Sequence, residues 1–188
     1  MSDTVHLIVA HYLSDTVSGA EQSIADFVDK VDERFQVTML TPGEGSLSDY
    51  YRFRDFDVWA KRIHTKRRRY PGLHTIQSYL FARDLKDRGF DAILCNTFSA
   101  ASRVGTACQL AGIPYGIYVR EYIPDHPIYR KTLNGTDRIF AVSKDVSNYL
   151  GDMTNSSKIV VAYATIDPTP VLNRVASHNA NGTRLIPY

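Results

Sequence analysis

The residues of this chain that could do chemistry stand just after its apolar runs. His11 follows Val5-His6-Leu7-Ile8-Val9-Ala10, and a polar loop then leads to Ser18-Gly19-Ala20-Glu21. Asn96, Thr97 and Ser99 follow the run that ends at Cys95, Arg120 and Glu121 follow Val119, and Ser143 and Lys144 follow Val142. Together they offer amides at Gly19 and Ala20, a cation at Arg120, a carboxylate at Glu21 or Glu121, three hydroxyls and the Lys144 ammonium. Unpaired amides at a helix start, aided by the helix dipole, hold phosphate or carboxylate, so the set suits a ligand with phosphates and hydroxyls. Each residue also has a structural reading. Glu21 can complement the dipole, Ser143 can cap a helix, Arg120 and Glu121 can pair with each other, and His11 can serve as a structural hydrogen-bonder.

These positions gain meaning from the elements that must carry them. Residues 5–10 read as a strand and residues 20–31 as an amphipathic helix with Ala20, Ile24, Phe27, Val28 and Val31 on one face. The same alternation continues through strand 35–40, a polar and aromatic stretch 44–54 read as a loop over the sheet edge, and a short strand near 57–63. Helix 74–88 presents Ile76, Tyr79 and Leu80 and stops at Gly89, strand 90–95 follows, and a helix to Gly112 carries Val104, Ala107, Cys108 and Ala111. Strand 115–119, a short helix near 128–133, strand 138–142, a helix capped by Ser143 and strand 158–162 complete the pattern. Six or seven strands alternating with about five helices specify an α/β fold: an open, mostly parallel, Rossmann-like sheet with helices on both faces. In such a sheet the loops after the strands gather on one edge, which is why the polar residues above are expected to meet.

The totals narrow the classes. At 188 residues the chain can bury a core without metal or disulfide staples, and 44% apolar with 22% charged residues is a globular composition. A net charge of +2 from 22 basic and 20 acidic side chains does not argue for nucleic acid as a partner. Cys95 and Cys108 lack a partner at metal-ligand spacing and read as core thiols. No metal or cofactor is called for, and a cytoplasmic address follows by default from the absence of a signal-like or spanning segment. The sequons at Asn134, Asn155 and Asn181 then read as chance matches. Dinucleotide, P-loop, nucleophile-elbow and zinc-protease motifs are missing, which disfavours those chemistries. The run from Lys61 to Arg69, with Lys66, Arg67, Arg68 and Arg69, reads as a solvated loop or as a patch for an anionic membrane, with Trp59 and Tyr70 nearby as interfacial aromatics.

Several segments taken together resemble the nucleotide-sugar glycosyltransferases of the GT-B fold, specifically the retaining group 4. They are Ser18-Gly19-Ala20-Glu21, where the family has Gly-Gly-x-Glu, residues 91–97, Ala111-Gly112-Ile113-Pro114-Tyr115, residues 137–144, and residues 158–161 leading to Ile166-Asp167. The resemblance implies an acceptor-binding domain over residues 1–167 and, at 168–188, a linker towards a C-terminal donor-binding domain as partner in cis or as a separate chain. It implies donor diphosphate contacts at Gly19 and Ala20, catalytic roles for Glu21, Arg120 and Glu121, and acceptor contacts from His11, Asn96, Thr97, Ser99, Ser143 and Lys144. The acceptor would be a glycan or a lipid-linked glycan, reached at the inner face of the membrane in the second case. Ser18 departs from the family's first glycine, and Arg120-Glu121 stands where many members have a histidine. A non-catalytic anion-binding module of flavodoxin-like architecture and a nucleotide-sugar epimerase-like domain are the alternatives.

Overall fold

A computed structural model describes residues 4–62 and 71–163. The basic residues Lys66 to Arg69 and the 168–188 linker lie outside the described residues. The elements follow one another as β1 (Val5–Ala10), α1 (Gly19–Val28), β2 (Phe35–Thr41), α2 (Ser46–Phe53), β3 (Asp57–Ala60) and α3 (Pro71–Asp87). Then come β4 (Ala92–Cys95), α4 (Phe98–Ala111), β5 (Tyr115–Val119), α5 (Pro127–Gly135), β6 (Arg138–Ala141), α6 (Lys144–Gly151) and β7 (Ile159–Val161). The strands form one sheet in the order β3-β2-β1-β4-β5-β6-β7, every pair parallel. The chain winds outward from β1 to β3 and then restarts at β4 on the other side of β1, so the order reverses between β1 and β4. That reversal opens a crevice at the carboxyl ends of the two strands.

Both faces of the sheet are covered because its central strands are apolar on both sides. Successive side chains of a strand point to opposite faces. Ile8 and Ala10 therefore join a core with Leu85, Val104 and Cys108, whereas Val9 packs in a second core with Ile24, Met39, Leu47 and Tyr51. Cys95 and Cys108 are buried free thiols, and burial pushes the Cys108 pKa up to about 12. The helix ends follow local chemistry. Thr97 and Ser143 cap α4 and α6 by accepting from the amides of Ala100 and Val146, and α4 stops at Gly112, whose φ of 70° suits glycine.

Four expectations are corrected. Residues 44–54 are not a loop: they contain α2, which packs Leu47 and Tyr51, four residues apart, into the second core. Ile76, Tyr79 and Leu80 are 60%, 65% and 44% exposed, and α3 instead buries Ser78, Phe81, Ala82 and Leu85. Both sets fit a 3.6-residue period, so only the sheet beneath could choose between them. Phe27 is likewise exposed at the surface of α1. Trp59 is no interfacial anchor, because it is buried against Phe81 and Phe90 with the Arg88 guanidinium 4.4 Å from its ring.

The loop after β1 is held down by the start of α2. The Leu47 amide donates to the Ser14 carbonyl at 2.9 Å, and a Cβ on Gly45 would stand 2.7 Å from that same oxygen and 2.5 Å from Asp15 Oδ1. Gly45→Ala is therefore expected to cost about 1–3 kcal/mol, read as a lower urea midpoint; an unchanged midpoint would show that the loop yields freely.

Candidate functional site

Five side chains meet at the carboxyl ends of the strands around the β1/β4 reversal. His11 directly follows β1, Asn96 follows β4, Arg120 follows β5, Glu21 lies in the first turn of α1, and Tyr51 reaches in from α2. His11, Tyr51 and Asn96 are essentially without exposure, and Glu21 is 9% exposed. The His11 ring is held from both sides, with Tyr51 Oη 3.0 Å from Nε2 and Asn96 Nδ2 3.4 Å from Nδ1. Burial first, and the nearby Arg120 charge second, lower the His11 pKa to about 3, so the imidazole is neutral at physiological pH. Burial first, with the Glu21 carboxylate second, raises the Tyr51 pKa well above the ordinary phenol range, which leaves the hydroxyl protonated.

Glu21 looks inward, at the helix start. One carboxylate oxygen accepts from the Ser18 amide at 3.0 Å and from the Ser18 hydroxyl, and the other faces Asn96 Nδ2 at 3.5 Å. Ser18 Oγ in turn accepts from the Ala20 amide at 3.2 Å. This is a capping box, and it uses Ser18 where a glycine would leave the helix start uncapped. Of the two amides expected to face a diphosphate, Ala20 is thus already satisfied by Ser18, while Gly19 donates to nothing among the described residues. A Cβ on Gly19 would meet nothing within 4 Å, so the fold leaves room for a side chain at this position.

Arg120 supplies the cation. Its Nη1 donates to the Asn96 carbonyl at 2.6 Å, and its guanidinium lies 4.0 Å from the Tyr118 ring centroid. Nε and Nη2 are buried with no acceptor among the described residues, and the same holds for Asn96 Oδ1 on the acceptor side. Burial lowers the Arg120 pKa, against the pull of Tyr118, Glu21 and Tyr51. Two donors of a charged group left unmade are costly in a low dielectric, so the arrangement favours an oxyanion brought to Arg120.

The remaining expected residues are distributed along the same edge. Glu121 is exposed beside Arg120. Thr97 and Ser143 spend their hydroxyls on caps, Ser99 stands in the first turn of α4, and Lys144 is exposed at the start of α6. Ser143 and Lys144 follow β6, two strands from β4, and share no hydrogen bond with the His11 network. Tyr51 was missed because its helix was read as a loop. The signal was present in Leu47 and Tyr51 at helical spacing and in Ser48, whose hydroxyl accepts from the Gly45 amide at 2.9 Å in the manner of a helix start. Among the described residues, no group of three or more His, Cys, Asp or Glu side chains could hold a metal.

Comparison with known proteins now bears on this geometry. The model of Glycosyltransferase Family 4 matches residues 17–169, most of the chain. Anabaena HepE in complex with UDP superposes with a TM-score of 0.69 at 15% identity, over 95% of this chain and 50% of that one. The lipopolysaccharide outer core galactosyltransferase WaaB matches with a TM-score of 0.59 at 13% identity, over 87% of this chain and 46% of that one. UDP-GlcNAc 2-epimerase from Neisseria meningitidis bound to UDP-GlcNAc matches with a TM-score of 0.56 at 14% identity, over 96% and 54%. The chain therefore spans about half the length of these structures. No curated protein matches it by sequence.

Proposed function

The chain belongs to glycosyltransferase family 4, and from that premise we propose that it forms the acceptor-side half of a retaining glycosyltransferase that moves a sugar from a nucleotide-sugar donor to a glycan or lipid-linked acceptor. The observation that carries this reading is the family match over residues 17–169, which spans every element from α1 to β7. UDP and UDP-glucose in the Anabaena complexes support a nucleoside diphosphate sugar as donor. A second half, in cis or as a separate chain, would hold most of that donor and close the cleft.

In this reading the Gly19 amide and Arg120 face the donor diphosphate, where charge builds as the sugar leaves, and fixed donors aimed at developing charge lower the barrier. Glu121, exposed beside Arg120, orients an acceptor hydroxyl. Glu21 contributes to catalysis by position: its carboxylate fixes Ser18 and thereby the start of α1. Asn96 holds Arg120 and Glu21 in register and His11 in turn holds Asn96, while Thr97, Ser99, Ser143 and Lys144 line the acceptor edge. Among the described residues no helix is long and apolar enough to cross a membrane. A cytoplasmic enzyme that visits the inner membrane face for a lipid-linked acceptor fits the proposal.

The test is a chimera in which this chain is followed by the donor-binding half of a GT-B enzyme. With UDP-glucose and a panel of glycan acceptors, the chimera is expected to release UDP with formation of a glycosylated product, and Arg120→Ala is expected to slow this by roughly tenfold or more, the weight of a charged hydrogen bond. A folded chimera that binds UDP-glucose yet glycosylates nothing would count against the proposal. The epimerase superpositions supply the rival outcome, isomerisation of UDP-GlcNAc with no acceptor present.

A further inference from the structure

Between α3 and α4 lies a cavity of about 370 Å³ lined by Lys61, Arg62, Arg83, Asp84 and Arg103 together with the apolar Leu80, Phe81 and Ala107. Four cations thus face one carboxylate in a chain whose total charge is only +2. Asp84 is engaged by the Lys61 ammonium. Arg62, Arg83 and Arg103 have no carboxylate partner among the described residues. Arg103 is held in another way: its guanidinium stacks on the Tyr12 ring, 4.1 Å from the centroid. A guanidinium on an aromatic face keeps its in-plane N–H donors available for a planar or tetrahedral oxyanion.

Like charges converging on a concave surface with low-dielectric walls repel one another and focus a positive potential there. Nothing in the fold requires them, since α3 and α4 are already packed through Phe81, Leu85 and Val104. Tyr12 is the residue after His11, so Arg103 spans from this cavity to the loop of the candidate site.

We propose that this cavity is an anion subsite that takes a phosphate or diphosphate group of the acceptor, with Arg83 and Arg103 as its forks and Lys61, aligned by Asp84, as its point charge. Leu80, Phe81 and Ala107 form an apolar wall for the group that the phosphate is attached to. The assignment to the acceptor rests on the glycosyltransferase reading, whereas the anion site itself stands on the cavity alone. The shared chemistry is a phosphate ester, carried either by a soluble sugar phosphate or by a lipid.

The experiment titrates inorganic diphosphate into the 188-residue chain by calorimetry at low salt, and compares R83A/R103A. Both arginines lie on helices, outside the buried cores, so the variant is expected to fold, which circular dichroism checks. Saturable binding that weakens at least tenfold in R83A/R103A and falls with added salt is the expected result. No binding, or equal binding by the variant, overturns the proposal. Octyl phosphate and glucose 1-phosphate, titrated in parallel, assign the phosphate to a lipid or to a soluble sugar by which of them binds more tightly. In the chimera, R83A/R103A is expected to raise KM for a phosphorylated acceptor while KM for the nucleotide sugar stays unchanged; an unchanged acceptor KM overturns the acceptor assignment. A chimera that transfers nothing, with diphosphate binding intact and sensitive to the double substitution, brings down the glycosyltransferase reading and leaves the anion site standing.

Discussion

Replacing Tyr51 with alanine is expected to destabilise the chain by about 3–5 kcal/mol, the range for removing a large buried aromatic side chain. Tyr51 is completely buried in the core formed with Val9, Ile24, Met39 and Leu47, its ring lies 5.0 Å from that of His11, and no surface lets the site collapse cheaply. Tyr51→Phe separates the ring from its hydroxyl. That substitution keeps the packing but removes the partner 3.0 Å from His11 Nε2, and about 1–2 kcal/mol is expected for the buried nitrogen it leaves unsatisfied. Urea unfolding of both variants measures the pair of values. An alanine variant within 1 kcal/mol of the parent would mean that α2 is not anchored through Tyr51.

The second large effect is on acid stability, through His11. Its pKa is about 3 in the fold against an ordinary value of 6.5, with burial as the main cause and the Arg120 cation as the second. Below pH 6.5 the unfolded chain takes up a proton that the folded chain refuses, so acid favours unfolding. The contribution of a neutral His11 is complete above pH 6.5 and is lost progressively as the pH falls towards 3. Between pH 6.5 and 4.5 the expected loss is roughly 2–3 kcal/mol from this group. The groups that face it are Tyr51, Asn96, Arg120 and, through Asn96, Glu21. His11→Gln keeps a polar side chain but cannot titrate there, and its urea midpoint is expected to fall less steeply than that of the parent over the same pH range. Parallel slopes for the two proteins would show that His11 is not the acid-sensitive group.

How much of this could be read without coordinates varies by element. The strand and helix sequence from β1 to β7 was legible because apolar runs of strand length alternate with helical periods and are punctuated by Gly89, Gly112 and capping residues at Thr97 and Ser143. Position 21 was legible as a first-turn carboxylate, and His11, Asn96 and Arg120 as residues at strand ends. The helix α2 was not, since its eight residues include three aromatic, four polar and one aliphatic side chain, with Leu47 and Tyr51 as the one clear helical spacing of buried residues. The face of α3 was read wrongly for a different reason: two apolar series fit the same helical period.

The sequence by itself determined the class of this protein: a parallel, doubly wound sheet, a helix start capped at Ser18 to Glu21, and the family to which those segments belong. Those properties depend on local periodicity and on short-range capping, which neighbouring residues alone control. The tertiary structure decided which side chains meet. His11 is 40 residues from Tyr51 and 85 from Asn96; the reversal of strand order at β1 and β4 brings Asn96 beside it, and the packing of α2 into the core with Val9 and Met39 brings Tyr51. Burial then settles their chemistry, since it makes His11 neutral, keeps Tyr51 protonated and leaves Arg120 with donors to spare. Likewise Lys61, Arg83 and Arg103 are scattered through the chain, and they become one cationic cavity only when α3 and α4 pack side by side over the sheet.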